Sequence, residues 1–282
     1  MFNSRLNLEG FKLVWELLRS QPWLEERTDQ LYELLGSCEN DEEIHLVSET
    51  LKLFSYLTNE SFNLYINDLA SKVVNTDGLS EDNTVFSAFT FDGCEADSGQ
   101  QIVQCIKSVL PKLGWGNPKT VNLCTRIPRS INSHPNVFLV DEFIGSGQTI
   151  LGRINYLEKE IAKRDVDEYK ISVSVIACMK QAKELLEARG IEVYAPLVLD
   201  RGISDRYEGQ DLADATQLML KLEQGLQPQI RDKTLPSFGY NQVEALYCME
   251  TGNCPNSVFP IFWWPKNLSG NDRKTLLTRA GL

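Results

Sequence analysis

The chain has 282 residues, room for one large domain or a catalytic domain with a smaller appended one. Hydrophobic residues make up 42% and charged residues 24%, so a sizeable core can be buried. The formal net charge of −11 disfavours sequence-independent duplex binding, which draws its affinity from phosphate neutralisation by Lys and Arg; nucleic acid would be reached only through a complex. No run approaches 18 apolar residues, so no membrane-spanning helix is expected. The N-terminus, Met1-Phe2-Asn3-Ser4-Arg5, leads into an amphipathic stretch instead of an apolar signal region. The seven cysteines are odd in number and include no CxxC pair. A reduced, cytoplasmic location follows as the expectation, with the thiols serving as small core hydrophobes.

Residues 9–75 read as helical. Phe11, Val14, Trp15, Leu17 and Leu18 recur at helix spacing, as do Leu31, Leu34 and Leu35, then Leu51, Leu53, Phe54 and Leu57. Breaks fall at Gln21-Pro22, Gly36-Ser37 and Thr58-Asn59-Glu60-Ser61. Residues 1–78 are therefore expected to form a helical bundle, whose aromatic positions serve its core. That bundle is also the candidate surface for a protein partner.

From about residue 80 strands and helices alternate. Val85–Phe89 reads as a strand and Gln101–Leu113 as a helix, followed by strand Val121–Cys124 and strand Val137–Val140. A helix from Thr149 to about Arg164 comes next, then strand Ile171–Ala177, helix Lys180–Arg189 and strand Ile191–Leu199. This alternation predicts βαβ units and a parallel sheet, covered on both faces where strands are wholly apolar. The α/β core is expected over 79–210. Residues 211–282 are expected to form an extension, with a helix near Asp211–Glu223 and an irregular, aromatic-rich tail.

The stretch from Val137 to Ile150, VFLVDEFIGSGQTI, carries the chemistry. A buried strand ends in two carboxylates, Asp141 and Glu142, and a loop of small residues then opens a helix. In a parallel α/β sheet, ligands bind beyond the carboxyl ends of the strands. A Gly-Ser-Gly loop at a helix N-terminus offers backbone N–H groups and the positive end of a dipole to an anion. Gly145 and Gly147 let the backbone approach closely, and Ser146 and Thr149 add hydroxyl donors. The carboxylates, as acceptors, suit a vicinal diol and its bound metal.

Over thirteen positions, 137–149, this arrangement resembles the phosphoribosyl pyrophosphate (PRPP) motif of the type I phosphoribosyltransferases, with Ser146 in place of the usual Thr. The resemblance implies an α/β, parallel-sheet phosphoribosyltransferase-like core. It implies that Asp141 and Glu142 contact the ribose 2- and 3-hydroxyls, and that Gly145, Ser146, Gly147, Gln148 and Thr149 hold the 5-phosphate. Purine-salvage members carry an Asp where this chain has Gly145, which argues against ordinary hypoxanthine or guanine salvage. The family's pyrophosphate loop would correspond to residues 89–100, where Asp92, Glu95 and Asp97 would bind magnesium but repel a bare pyrophosphate. Its flexible loop would come from Cys124–Asn136, offering Arg126 and Arg129 either as pyrophosphate cations or as solvated charges. Asp200 and Arg206 occupy the segment of the base-recognising hood; they would read a base edge or pair with each other at the surface.

Phe238-Gly239-Tyr240, Pro255-Asn256 and Phe262-Trp263-Trp264-Pro265 resemble elements that recur in the phosphoribosyltransferase-like proteins of bacterial conflict systems, such as those beside retrons. The implied function is an enzyme binding PRPP, or a related nucleotide, with substrate-bound Mg2+ and acting at the anomeric carbon as an antiphage effector. Two alternatives stay open: a non-catalytic PRPP-sensing regulatory module, and an interaction component of a toxin–antitoxin-like complex. His45 and His134 lack ligand spacing with the cysteines, so no zinc site is expected. There is no GxSxG, Walker A lysine or Rossmann GxGxxG.

Overall fold

The structure is a computed structural model that describes residues 8–91, 98–166 and 168–281. Helices α1 (Leu8–Ser20), α2 (Thr28–Gly36) and α3 (Asp41–Lys52) lead to strand β1 (Ser55–Leu57), then α4 (Asn59–Val74) and β2 (Thr84–Ala88). Next come α5 (Ser98–Val109), β3 (Lys119–Val121), β4 (Asn136–Ile144), α6 (Gln148–Ile161) and β5 (Lys170–Met179). They are followed by α7 (Lys180–Glu187), β6 (Glu192–Tyr194), β7 (Leu197–Leu199) and α8 (Gly209–Gln224). Short strands β8 (Gln229–Ile230), β9 (Lys233–Thr234) and β10 (Tyr247–Met249) close the series.

These elements form two compact units: Asn59–Leu199, and a discontinuous one made of Met1–Thr58 and Asp200–Leu282. The helices before residue 58 and the C-terminal extension, separate stretches in the sequence, thus share one unit. Helix α4 joins the sheet instead.

In the continuous unit the sheet order is β3-β2-β4-β5-β6, with β7 also pairing β5, and all these pairings are parallel. Strand β5 is buried from Ile171 to Met179, as a central strand covered on both faces must be. The expected strand Ile191–Leu199 is two strands. Pro196 lies between them without an N–H to give a ladder, and β6 and β7 pair separate stretches of β5. The expected strand Val121–Cys124 is displaced to Lys119–Val121, and Cys124 starts a 3-10 turn, Cys124–Arg129. Strand β4 runs four residues beyond Val140, so both carboxylates lie within it, and Asp141 pairs with Val175 of β5.

In the discontinuous unit, β1 and β10 pair in parallel, joining residues 55–57 to 247–249. Asn40 caps α3 by accepting from the Glu43 N–H at 2.8 Å, while Glu43 accepts from the Glu39 N–H at 2.7 Å. Glu43, 1% exposed, also meets Lys221 of α8 at 2.8 Å. Trp263 and Trp264 are buried here, with Trp263 Nε1 donating to the Val258 carbonyl at 2.9 Å. This places the aromatic tail in a core. Cys124, Cys178, Cys248 and Cys254 are buried thiols, and burial pushes Cys178 up to about 12, so it stays protonated and inert.

Candidate functional site at the β4–α6 junction

The continuous unit contains the motif, and its register explains the orientation of each acid. Successive strand side chains point to opposite faces. Asp141 is partly exposed, and its Oδ1 accepts from the Ser98 hydroxyl at 2.8 Å and from the Glu142 N–H at 2.7 Å. Glu142, facing the other way, is only 4% exposed. The carboxylates expected at the end of the strand instead both lie inside β4, and of the two only Asp141 is accessible.

Beyond β4 the chain turns through Gly145 and Ser146, both partly exposed, to Gly147, which is buried and caps α6 at φ +77°. A Cβ at position 147 would stand 3.4 Å from the Ala182 Cβ, an ordinary contact, so the left-handed backbone is what selects glycine. The Gln148 N–H faces the Ser146 hydroxyl at 3.4 Å, and Gln148 and Thr149 are exposed. The first turn of a helix leaves backbone N–H groups without intrahelical acceptors, so this end of α6 is chemically suited to an anion.

Arg126 and Arg129 are exposed on the Cys124–Arg129 turn, which packs on α6 and is tied to the end of β2 by Cys124 N–H donation to the Thr90 carbonyl at 2.9 Å. Asp141, the Gly147 loop and the two arginines are therefore carried by elements that meet toward the carboxyl ends of the sheet strands. His134 bonds to the Ser133 hydroxyl at 2.8 Å, and burial together with the Lys119 charge lowers its pKa. Sequence reasoning passed over Arg153, on α6. Its guanidinium lies 3.7 Å from the centroid of the Phe91 ring, and its buried Nε has no hydrogen-bond partner among the described residues. A cation less than two turns into the helix after the loop was the available signal.

The candidate pyrophosphate loop is different: its residues 92–97, including Asp92, Glu95 and Asp97, lie outside the described residues. Asp200 and Arg206 belong to the other unit, where they approach each other at 3.9 Å, each 42% exposed. Such a pair contributes little to stability. Its neighbour Arg201 is held more tightly by Asp205, with Nη2 at 2.8 Å and Nε at 3.0 Å from Oδ1.

Among the described residues no group of three or more His, Cys, Asp or Glu side chains is placed to hold a metal ion, and no helix is long and apolar enough to cross a membrane. Asp141 is a hard oxygen donor of the kind magnesium accepts, so it fits a cation arriving on a diphosphate better than a resident metal.

A parallel sheet whose acid-bearing strand passes through a left-handed glycine into a helix defines a type I phosphoribosyltransferase-like α/β protein. The chain belongs to the PRTase-CE family, whose model matches residues 35–279. No curated protein matches it. Among solved structures it is similar to a hypothetical protein from Neisseria gonorrhoeae with bound ppGpp, at 16% identity over 58% of this chain and 96% of that one, with a TM-score of 0.36. It is similar to orotate phosphoribosyltransferase from Aeropyrum pernix, at 17% identity over 49% of this chain and 71% of that one, with a TM-score of 0.32. A third is the xanthine-guanine-hypoxanthine phosphoribosyltransferase of Helicobacter pylori, at 14% identity, 52% of this chain and 85% of that one, and a TM-score of 0.33.

Proposed function

We propose that the β4–α6 junction binds PRPP, or a nucleotide presenting the same ribose 5-phosphate, with its substrate-bound magnesium, and that the protein transfers the phosphoribosyl group. The observation that carries this reading is the spacing of two features: an accessible carboxylate at Asp141, and six residues later an anion-suited loop capped by Gly147. Asp141 accepts from the ribose hydroxyls. The Gly145–Thr149 loop takes the 5-phosphate. Arg126 and Arg129 face the pyrophosphate.

In the reaction the anomeric C–O bond breaks, its electron pair leaves with pyrophosphate, and the acceptor's lone pair forms the new bond to carbon. Magnesium supplies charge neutralisation of the leaving group when bound. The protein's part is positioning and electrostatics. Ser98, by donating to Asp141 Oδ1, holds the carboxylate in one rotamer. Glu142 is buried on the opposite face of the strand.

The tail motifs extend the proposal to an effector of bacterial antiphage defence, acting on a nucleotide pool or a macromolecule. The three acids at Asp92, Glu95 and Asp97 favour a second reading, in which PRPP is sensed without turnover. Calorimetric titration with magnesium-PRPP tests the site, and pyrophosphate release in the presence of candidate acceptors tests turnover. Binding by wild type but not by Asp141→Ala is the expected result. Absence of binding by wild type overturns the proposal, and binding without release under every acceptor selects the sensing reading.

A further inference from the structure

On the opposite face of the same sheet the structure has a cavity of about 270 Å³. Its floor is built by register. Phe138 of β4 sits beside Ser172 of β5, which sits beside Glu192 of β6; in the next row Ser174 sits beside Tyr194. The last turn of α4, with Lys72 and Val73, and the segment after it wall the other side. Phe138 precedes Asp141 by three residues, about 10 Å of strand, and three residues put the two side chains on opposite faces. Ser174, in register with Val140, comes within one residue of Asp141 along the strand, and it is the face of the sheet that separates the cavity from the β4–α6 site.

Its chemistry is unusual for the middle of a parallel sheet. A central strand buried on both faces normally runs through Val and Ile, yet Ser172 and Ser174 are 3% and 1% exposed. The Ser174 hydroxyl has no hydrogen-bond partner among the described residues, although it lines the cavity. A buried hydroxyl without a partner is destabilising, and a bound polar group removes that deficit. The nearby charges are largely committed to one another. Lys170 meets Glu192 at 2.7 Å, and the Tyr194 hydroxyl donates to Asp68 at 2.6 Å. Lys72 lies 5.6 Å from the Tyr194 ring centroid. With its charges offset, the cavity presents aromatic walls and a floor that both donates and accepts. At 270 Å³ it falls just below the roughly 300–1,000 Å³ of sites for drug-sized ligands and far exceeds the space of one water.

We propose that this cavity is a second ligand site, which takes a small uncharged heteroaromatic molecule whose ring lies against Phe138 and Tyr194 and whose polar edge meets Ser174. The site would let such a molecule bind independently of PRPP.

The test is titration of the full chain with adenine, uracil and nicotinamide, followed by saturation-transfer NMR and calorimetry. At least one probe should bind. Ser174→Val should weaken it roughly five- to tenfold, as loss of one hydrogen bond predicts, while the chain stays folded because the exchange removes a buried hydroxyl. Ser174→Ala, which opens space instead of filling it, gives the same loss and guards against a packing artefact of Val. Asp141→Asn should leave probe affinity unchanged, and both Ser174 variants should leave magnesium-PRPP affinity unchanged. Failure of all three probes to bind up to their solubility limits overturns the proposal and leaves the cavity to water. So does a probe lost in Asp141→Asn but kept in Ser174→Val, since that probe occupies the β4–α6 site. Because the readout does not involve PRPP, this result is distinct from the outcome for the proposed activity.

Discussion

The Ser98 hydroxyl donates to Oδ1 of Asp141 at 2.8 Å, joining the first residue of α5 to the middle of β4. The bond restricts the only accessible carboxylate of the acid pair. Ser98→Ala should weaken magnesium-PRPP binding about three- to tenfold, the worth of one hydrogen bond to a charged group, with the melting temperature nearly unchanged. Calorimetry and a thermal melt check both halves, and a wild-type affinity in the variant would remove Asp141 from the ligand.

The two acids should separate cleanly. Asp141 is partly exposed, so Asp141→Asn should shift the melting temperature by no more than a degree or two while PRPP affinity falls at least tenfold. Glu142 is 4% exposed, and Glu142→Ala should cost about 1–3 kcal/mol by disturbing buried polar contacts. A double variant would confuse the two effects. Denaturant unfolding of each single variant measures them apart.

Gly147 holds φ +77° with room for a methyl group, so Gly147→Ala isolates backbone strain from crowding. Left-handed backbone costs a residue with a Cβ about 1–2 kcal/mol, and the variant should melt a few degrees lower. Relief of that strain would rotate the first turn of α6, so PRPP affinity should fall as well. Retained affinity in Gly147→Ala together with Gly147→Val would exclude this loop as the phosphate site.

Glu223 gives a pH signature in the other unit. Burial pushes its carboxyl up to about 7, against the opposing hydrogen bonds from the Ser237 hydroxyl and the Phe238 N–H. A raised carboxyl pKa means the folded state binds the proton more tightly than the unfolded state, whose value is near 4.5. The contribution is fully present below the unfolded value and is lost as pH rises through about 7. Wild type should therefore lose stability relative to Glu223→Gln between roughly pH 4.5 and pH 8, read as a falling difference in melting temperature. A difference that rises with pH would reverse the assignment.

The motif was legible because its parts are local: an apolar strand, acids, small residues and an apolar-striped helix, all within fourteen residues from Val137 to Ile150. What escaped was set by partners distant in sequence. Strand β4 continues past Val140 because β5 supplies a ladder as far as Ile144, and that ladder sends Glu142 inward. Strands β1 and β10 have three residues each, too few for a period, and their pairing spans most of the chain. The division of Ile191–Leu199 was readable from Pro196. The cavity also left a trace, since Ser172 and Ser174 alternate within an otherwise apolar strand.

The pairing of residues 55–57 with 247–249 also has a consequence for the order of assembly. During synthesis, Asn59–Leu199 emerges as one uninterrupted stretch and has all its internal partners before Asp200 is added. The flanking unit cannot begin its parallel ladder until nearly the whole chain has left the ribosome, and closing so long a loop is slow. Until then β1 remains an unpaired edge, and Phe54 just before it lacks Phe262, whose ring centroid lies 5.7 Å away in the folded unit. Translation that stalls ahead of Tyr247 would release a chain with a finished parallel sheet and an exposed, aggregation-prone N-terminal segment.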